Sequence, residues 1–161
     1  MDNPPLKSQI QRIVMRISFK KAKTEKDIKE IFNYNIDAFS DSPDFKWTFD
    51  EIKKEVGEGW ELYSMALDSE VIAAVFYKVE DDSLLTKNTA IKITHQGSGY
   101  SHKIKEFFEK VAREKHLKKI YHYCRIDNFR MYSLNESHKY EKTPNKYGPE
   151  GLVVEWVKQI K

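Results

Sequence analysis

Cysteine is almost absent from this chain: Cys124 stands alone among 161 residues. A single cysteine excludes an intrachain disulfide and leaves no Cys/His set at zinc spacing, so no metal is expected. That usage suits a reducing cytoplasm. Long apolar runs are missing too. None approaches the roughly 18 residues of a membrane span, and the opening MDNPPLKSQI has no apolar stretch of the secretory type. Charge of one sign is also scarce. With 28 basic and 25 acidic residues the net charge is only +3, too small to mark a nucleic-acid binder, though it slightly favours an anionic ligand. There is no internal repeat and no low-complexity segment.

What is present is enough for a core. Hydrophobic residues make up 40% and charged residues 33%, and 9 Tyr, 9 Phe and 3 Trp supply large apolar bodies. The length is that of one domain. Residues 1–14, with Pro4-Pro5 and a polar mix, read as a flexible N-terminal extension. Residues 15–161 read as the domain, a monomer or a homodimer.

Ile17 and Phe19 alternate with polar residues, as in a half-buried strand. Thr24 caps a helix with apolar positions at Ile28, Ile31, Phe32, Ile36 and Phe39. After the loop-forming residues 40–44, Thr48 and Glu51 form a capping-box pattern for a second helix, which Gly57 and Gly59 stop. Residues 60–67 and 71–79 flank a short turn and read as a hairpin. Residues 84–93 form a further strand, with Leu85, Ile91 and Ile93 expected on one face. A helix follows with its stripe at Ile104, Phe107, Phe108, Val111 and Ala112. Residues 117–126 read as a central strand and 129–140 as a short helix. Residues 143–151, with two prolines and two glycines, read as loop, and 152–160 as the last strand. One more short strand has room after Tyr140. The order gives antiparallel pairing in the first half and a parallel pair by right-handed crossover in the second. The class is therefore mixed α/β or α+β, a sheet covered by helices.

The segment joining residues 84–93 to the next helix reads T-H-Q-G-S-G-Y-S-H-K-I. A helix start carries unpartnered N–H groups and partial positive charge, which suits a phosphate. Gly97 and Gly99 let the backbone approach such a ligand and allow left-handed torsions. Gln96 and Ser101 can add polar contacts, and His102, Lys103 and Lys105 add nearby charge. Gly-Ser-Gly also serves as a plain turn, and that reading stands beside the first. Neither the dinucleotide fingerprint nor the Walker pattern fits, since the third glycine and the Gly-Lys-Ser/Thr are absent.

The pattern Gln/Arg-x-x-Gly-x-Gly/Ala does fit, as Gln96 to Ser101. It resembles the pyrophosphate loop of the GNAT superfamily of acyl-CoA-dependent N-acyltransferases, and the element order from Met15 onward is similar to that family's. A second block, RIDNFRMYSLNESHKY, is similar to the family's Asn-x-x-Ala-x-x-x-Tyr-x-x-x-Gly-Phe. Asn128 matches the Asn, Met131 the small apolar site and Tyr140 the final aromatic, while Asn135 stands where the Tyr usually does. Ser101 replaces the last Gly or Ala, Lys139 the usual Gly, and no Pro-Glu-Tyr/Trp precedes the loop.

The resemblance implies a mostly antiparallel sheet flanked by helices, with a splayed strand pair after the central strand. It implies acetyl-CoA or another acyl-CoA in a cleft where the third and fourth antiparallel strands part. Pantetheine would pair along Ile91 to Ile93, and Gln96, Gly97, Ser98, Gly99, Tyr100, Ser101, His102, Asn128, Met131 and Asn135 would line the cofactor. A small-molecule or peptide amine would attack directly. His95 is a candidate base, or a plain loop histidine. Asn135, or Tyr132 one helical turn earlier, would face the departing sulfur, though packing is the commoner fate of such a tyrosine. Cys124 and His122 share a strand face, an arrangement more often packing than a nucleophile pair. Residues 39–47 and 143–151 would form the acceptor side, with Asp41, Asp44, Phe45 and Trp47 contributing. A catalytically weak acyl-CoA-binding sensor or scaffold is the alternative.

Overall fold

The structure, a computed structural model, describes residues 16–34, 48–91, 93–95 and 97–161. The expected extension, residues 39–47 and Gln96 lie outside the described residues.

Strand β1 (Ile17–Lys21) leads into helix α1 (Glu25–Tyr34). Thr24 and Asp27 cap that helix reciprocally: the Asp27 amide donates to Thr24 Oγ1 at 3.1 Å, and the Thr24 amide to Asp27 Oδ2 at 3.2 Å. Helix α2 (Phe49–Gly57) starts as expected, with the Glu51 amide on Thr48 Oγ1 at 3.2 Å. Three antiparallel strands follow: β2 (Glu61–Leu67), β3 (Glu70–Glu80) and β4 (Ser83–Ile91). Then come a single 3-10 turn (Ile93–His95), helix α3 (Tyr100–Glu114), β5 (Lys119–Arg125), helix α4 (Phe129–Ser137), β6 (Glu141–Tyr147) and β7 (Val153–Gln159). No helix among the described residues is long and apolar enough to cross a membrane.

The seven strands form one sheet in the order β1-β2-β3-β4-β5-β7-β6. Every neighbouring pair is antiparallel except β4 and β5, which are parallel. Helices α1 and α2 cover one face through Ile28, Ile31 and Ile52, which pack with Leu62, Ala74 and Phe76. Helix α3 covers the other with Ile104, Phe108, Val111 and Ala112, against Ile72, Leu84, Ile120 and Cys124. Each helix thus buries one apolar stripe, and the sheet has a core on both faces.

Two expectations need correction. Residues 143–147, expected as loop, belong to edge strand β6, which fills the room left for a short strand after Tyr140. Its pairing with β7 breaks between Lys142 and Lys146, and Pro144 lies in that break, where its missing N–H costs no ladder bond. Leu85 and Ile91 do not share a face as expected. Phe76 pairs Lys87 while Ala74 pairs Ala90, so β4 carries one extra residue between Lys87 and Ala90. That bulge inverts the alternation, and Ile91 joins Leu84 in the core beneath α3.

Candidate functional site

The sheet opens between β4 and β5. Their pairing runs only from Ser83↔Lys119 to Thr86↔His122. Beyond it β4 continues to Ile91 and β5 to Arg125 with no pairing between them. The parting therefore lies at the parallel pair, because β3 stays paired to β4 as far as Ile91. Thr86 closes the apex. Its hydroxyl donates to the Tyr121 carbonyl at 2.8 Å, so it must accept from His122 Nδ1 at 3.2 Å. That fixes the tautomer and leaves Nε2, buried and without a partner among the described residues, as an acceptor. Burial, reinforced by Lys105, holds His122 well below the usual imidazole range, so the ring is neutral.

On the β4 side of the opening stands the glycine segment. Gly97 has φ +80° and Gly99 φ +84°, so both are left-handed, as glycine permits. A Cβ on either would meet nothing within 4 Å among the described residues. The torsions, not crowding within the chain, call for glycine here, and the space above the backbone is open. Gly99 is the N-cap of α3, and no side chain among the described residues caps that helix. A 15-residue helix thus presents uncapped N–H groups beside open space, a fitting cradle for a diphosphate. Ser98 is exposed, while Tyr100 and Ser101 are half-buried. His102 Nδ1 lies 2.8 Å from Nε2 of His138, which joins the start of α3 to the end of α4. Burial and the neighbouring His102 hold His138 below the ordinary imidazole value. His95 is half-buried, with Nδ1 2.9 Å from Thr94 Oγ1 and its ring 6.1 Å from that of Tyr100.

The cations expected beside this segment behave differently from one another. Lys103 is exposed and pairs with Glu106 at 3.4 Å. Lys105 turns inward, 2% exposed, with Nζ 4.3 Å from the centre of the Tyr140 ring and no hydrogen-bond partner among the described residues. It adds no charge at the loop surface. Burial pushes its pKa down to about 7.

On the β5 side stands α4. Asn128 caps it, accepting from the Met131 amide at 3.2 Å, and Met131 is half-buried. Tyr132 packs edge-to-face on Trp156, with ring centres 5.1 Å apart. Asn135 is fully buried, and neither amide atom has a partner among the described residues. Cys124 and His122 are both buried on the face covered by α3 and α4. The fold thus gathers the Gly97–Gly99 turn, His95 and His102 on one side of the opening, and Asn128, Met131 and Asn135 on the other.

One cluster escaped the sequence reading. Glu155, on β7, is 5% exposed. Its Oε2 accepts from Tyr123 Oη at 2.9 Å and from Tyr147 Oη at 3.1 Å. Its Oε1 accepts from Thr143 Oγ1 at 2.9 Å and from Asn145 Nδ2 at 3.1 Å. Burial raises its pKa, but the four hydrogen bonds outweigh that and hold it below the usual carboxylate value. The signal was a lone acid inside the apolar run Val153-Val154-Glu155-Trp156-Val157. Its partners lie on β5 and β6, which sequence spacing alone does not bring together.

No family model matches the sequence, and no match is found among curated proteins. Solved structures do match. The ribosomal-protein-S18-alanine N-acetyltransferase from Escherichia coli superposes with a TM-score of 0.74 at 15% identity, covering 90% of this chain and 94% of that one. The PaiA N-acetyltransferase from Thermoplasma acidophilum, in complex with coenzyme A, gives 0.69 at 12% identity over 90% and 99% of the two chains. A GNAT family acetyltransferase from Elizabethkingia anophelis, with acetyl-CoA bound, gives 0.68 at 15% over 89% and 97%. The chain is similar to all three in fold: a seven-stranded, mostly antiparallel sheet flanked by helices.

Proposed function

We propose that this chain, having the fold of the GNAT acetyltransferases, is itself an N-acyltransferase: a primary amine attacks the thioester carbonyl of acetyl-CoA or another acyl-CoA directly, in a ternary complex. The observation that carries this is the opening between β4 and β5, flanked by an uncapped helix start behind two left-handed glycines. Main-chain amides around residues 97–101 would hold the diphosphate, the His102 amide being bonded to the Gly99 carbonyl at 3.2 Å. Strand β4, past its last pairing with β5, would hold pantetheine as an added strand. The bulge between Lys87 and Ala90 takes backbone groups out of the ladder with β3. A main-chain N–H there is the candidate donor to the oxyanion.

In the transfer a C–N bond forms as the C–S bond breaks. The sulfur leaves as thiolate, and the amine releases its proton to water or to a base. A free alkylammonium, with pKa about 10, must lose a proton before it can attack. His95, at the edge of the loop, is the candidate base. Residues 15–161 form the acyltransferase domain in this reading.

Calorimetry with coenzyme A, followed by acetyl-CoA turnover over a panel of primary amines with thiol release as the readout, tests the proposal. Saturable heat and amine-dependent thiol release are expected. Absence of both overturns it. One observation favours a second reading. Asn135 stands where the family's tyrosine would protonate the sulfur, and its amide cannot act as an acid. Heat without thiol release would identify an acyl-CoA-binding sensor or scaffold.

A further inference from the structure

On β5 the side chains of Ile120, His122 and Cys124 are buried and those between them half-buried. Tyr123 therefore projects to the face opposite α3 and α4. It is the first residue of β5 beyond the last pairing with β4, and so stands at the mouth of the opening. It pairs with Glu155 in the β5–β7 ladder, on that same far face. Tyr147 of β6 completes the group. Its ring is edge-to-face with Tyr123, centres 5.6 Å apart at 85°, and it is 46% exposed. The carboxylate is roofed over, while the tyrosine above it meets solvent.

The chemistry of this group is one-sided. Glu155 has four donors, two to each oxygen. Among the described residues no lysine, arginine or histidine pairs with it. Its negative charge is thus held by dipoles alone. Tyr123 and Tyr147 have committed their only hydroxyl protons to it, so their oxygens can only accept from a further ligand. Acceptor oxygens, aromatic rings and an unneutralised carboxylate together match one ligand class, an alkylammonium with three N–H donors and no acceptor.

Such a site stabilises the charged form of an amine. An amine that must lose its proton before attacking is poorly served by it. The group that fits is a second cation, one that stays protonated while another amine on the same molecule reacts.

We propose that Glu155, Tyr123 and Tyr147 form a binding site for the non-reacting ammonium of a diamine-type acceptor. The inference rests on the reading of the β4–β5 opening as the thioester site. Specificity then follows from geometry: the thioester enters from the face carrying α3, and the acceptor is held on the opposite face.

The test compares butylamine with the diamines from 1,3-diaminopropane to 1,6-diaminohexane, using acetyl-CoA and the full chain. At least one diamine is expected to exceed butylamine in kcat/KM by tenfold or more, through KM. Glu155→Gln should bring that ratio close to one. Tyr147→Phe, at an exposed position with less risk to folding, should lower it severalfold. Thermal melts confirm that each variant is folded. Calorimetry of the same diamines on the coenzyme A-loaded chain reads the site without turnover, and Glu155→Gln should weaken that binding tenfold or more. Equal KM values for butylamine and every diamine in the parent protein overturn the proposal. So does an equal rise in both KM values with Glu155→Gln, which would mean that the cluster holds the reacting amine. Failure of these results while coenzyme A still binds and thiol is released leaves the acyltransferase reading intact. Loss of coenzyme A binding strikes that reading first.

Discussion

Lys105 shows how much one residue can shift the chain's response to pH. Its ammonium is 2% exposed, has no hydrogen-bond partner among the described residues and faces the Tyr140 ring at 4.3 Å. Burial lowers its pKa from 10.5 to about 7, while Cys124 and Glu109 pull upward and Lys158 downward. Between those two values the unfolded chain binds a proton that the folded chain does not. Stability must therefore rise with pH across that window, by up to about 1.4 kcal/mol per pH unit. Below pH 7 both states carry the charge and the full cost of burying it remains. Lys105→Met should accordingly stabilise the protein at pH 7, and the gain over the parent should shrink as pH climbs toward 9.5. Urea unfolding of the two proteins at half-unit intervals measures the difference directly, and the other titrating groups cancel in it. A gain that stays constant with pH would mean that Lys105 is charged in the folded state throughout.

Among the secondary-structure elements, the start of α3 is the most exacting. Gly99 sits at φ +84° as the N-cap, with open space where a side chain would begin. An L-residue there costs about 1 kcal/mol in torsional strain without any clash. Gly99→Ala should thus lower stability only modestly yet weaken coenzyme A binding tenfold or more, since the added methyl enters the space where a diphosphate would lie. Calorimetry beside a thermal melt separates the two effects, and unchanged affinity would remove this helix start from the site. The same element explains what was legible in the sequence. The helices were, because caps such as Thr24 and Thr48 and the stripes of α1 and α3 are local signals. The glycine turn was, because left-handed torsions leave a compositional mark. Edge strand β6 was legible only as room for a short strand after Tyr140, and its extent was not, because Pro144 and an exposed, charged surface mimic a loop. The β4 bulge was not, because inserting one residue reverses which side chains face the core, and only the ladder with β3 reveals it. The Glu155 cluster was not, because its donors come from β5 and β6, 8 to 32 residues away.

The whole molecule is two half-sheets held by a narrow join. Strands β1 to β4 form one and β5, β7 and β6 the other, and the ladder between them has four residue pairs, from Ser83↔Lys119 to Thr86↔His122. Thr86 ties the end of that join, bonding both Tyr121 and His122. Helix α3 spans it from above, packing against Leu84 on one side and Ile120 on the other. A ligand lying in the opening would add bonds where the sheet has none, so its binding energy should appear as cohesion between the halves. At a hundredfold excess over Kd, linkage predicts about 2.7 kcal/mol of added stability. Coenzyme A should therefore raise Tm by about 5–10 °C. Amide exchange should slow most along residues 87–91 of β4 and at the start of α3, and little along β6, which lies at the far edge. Hydrogen exchange with and without coenzyme A reads both halves at once. Protection confined to β6 and β7, or a Tm shift with no slowing beside the opening, would place the ligand elsewhere and leave the parting of β4 and β5 as a feature of the fold alone.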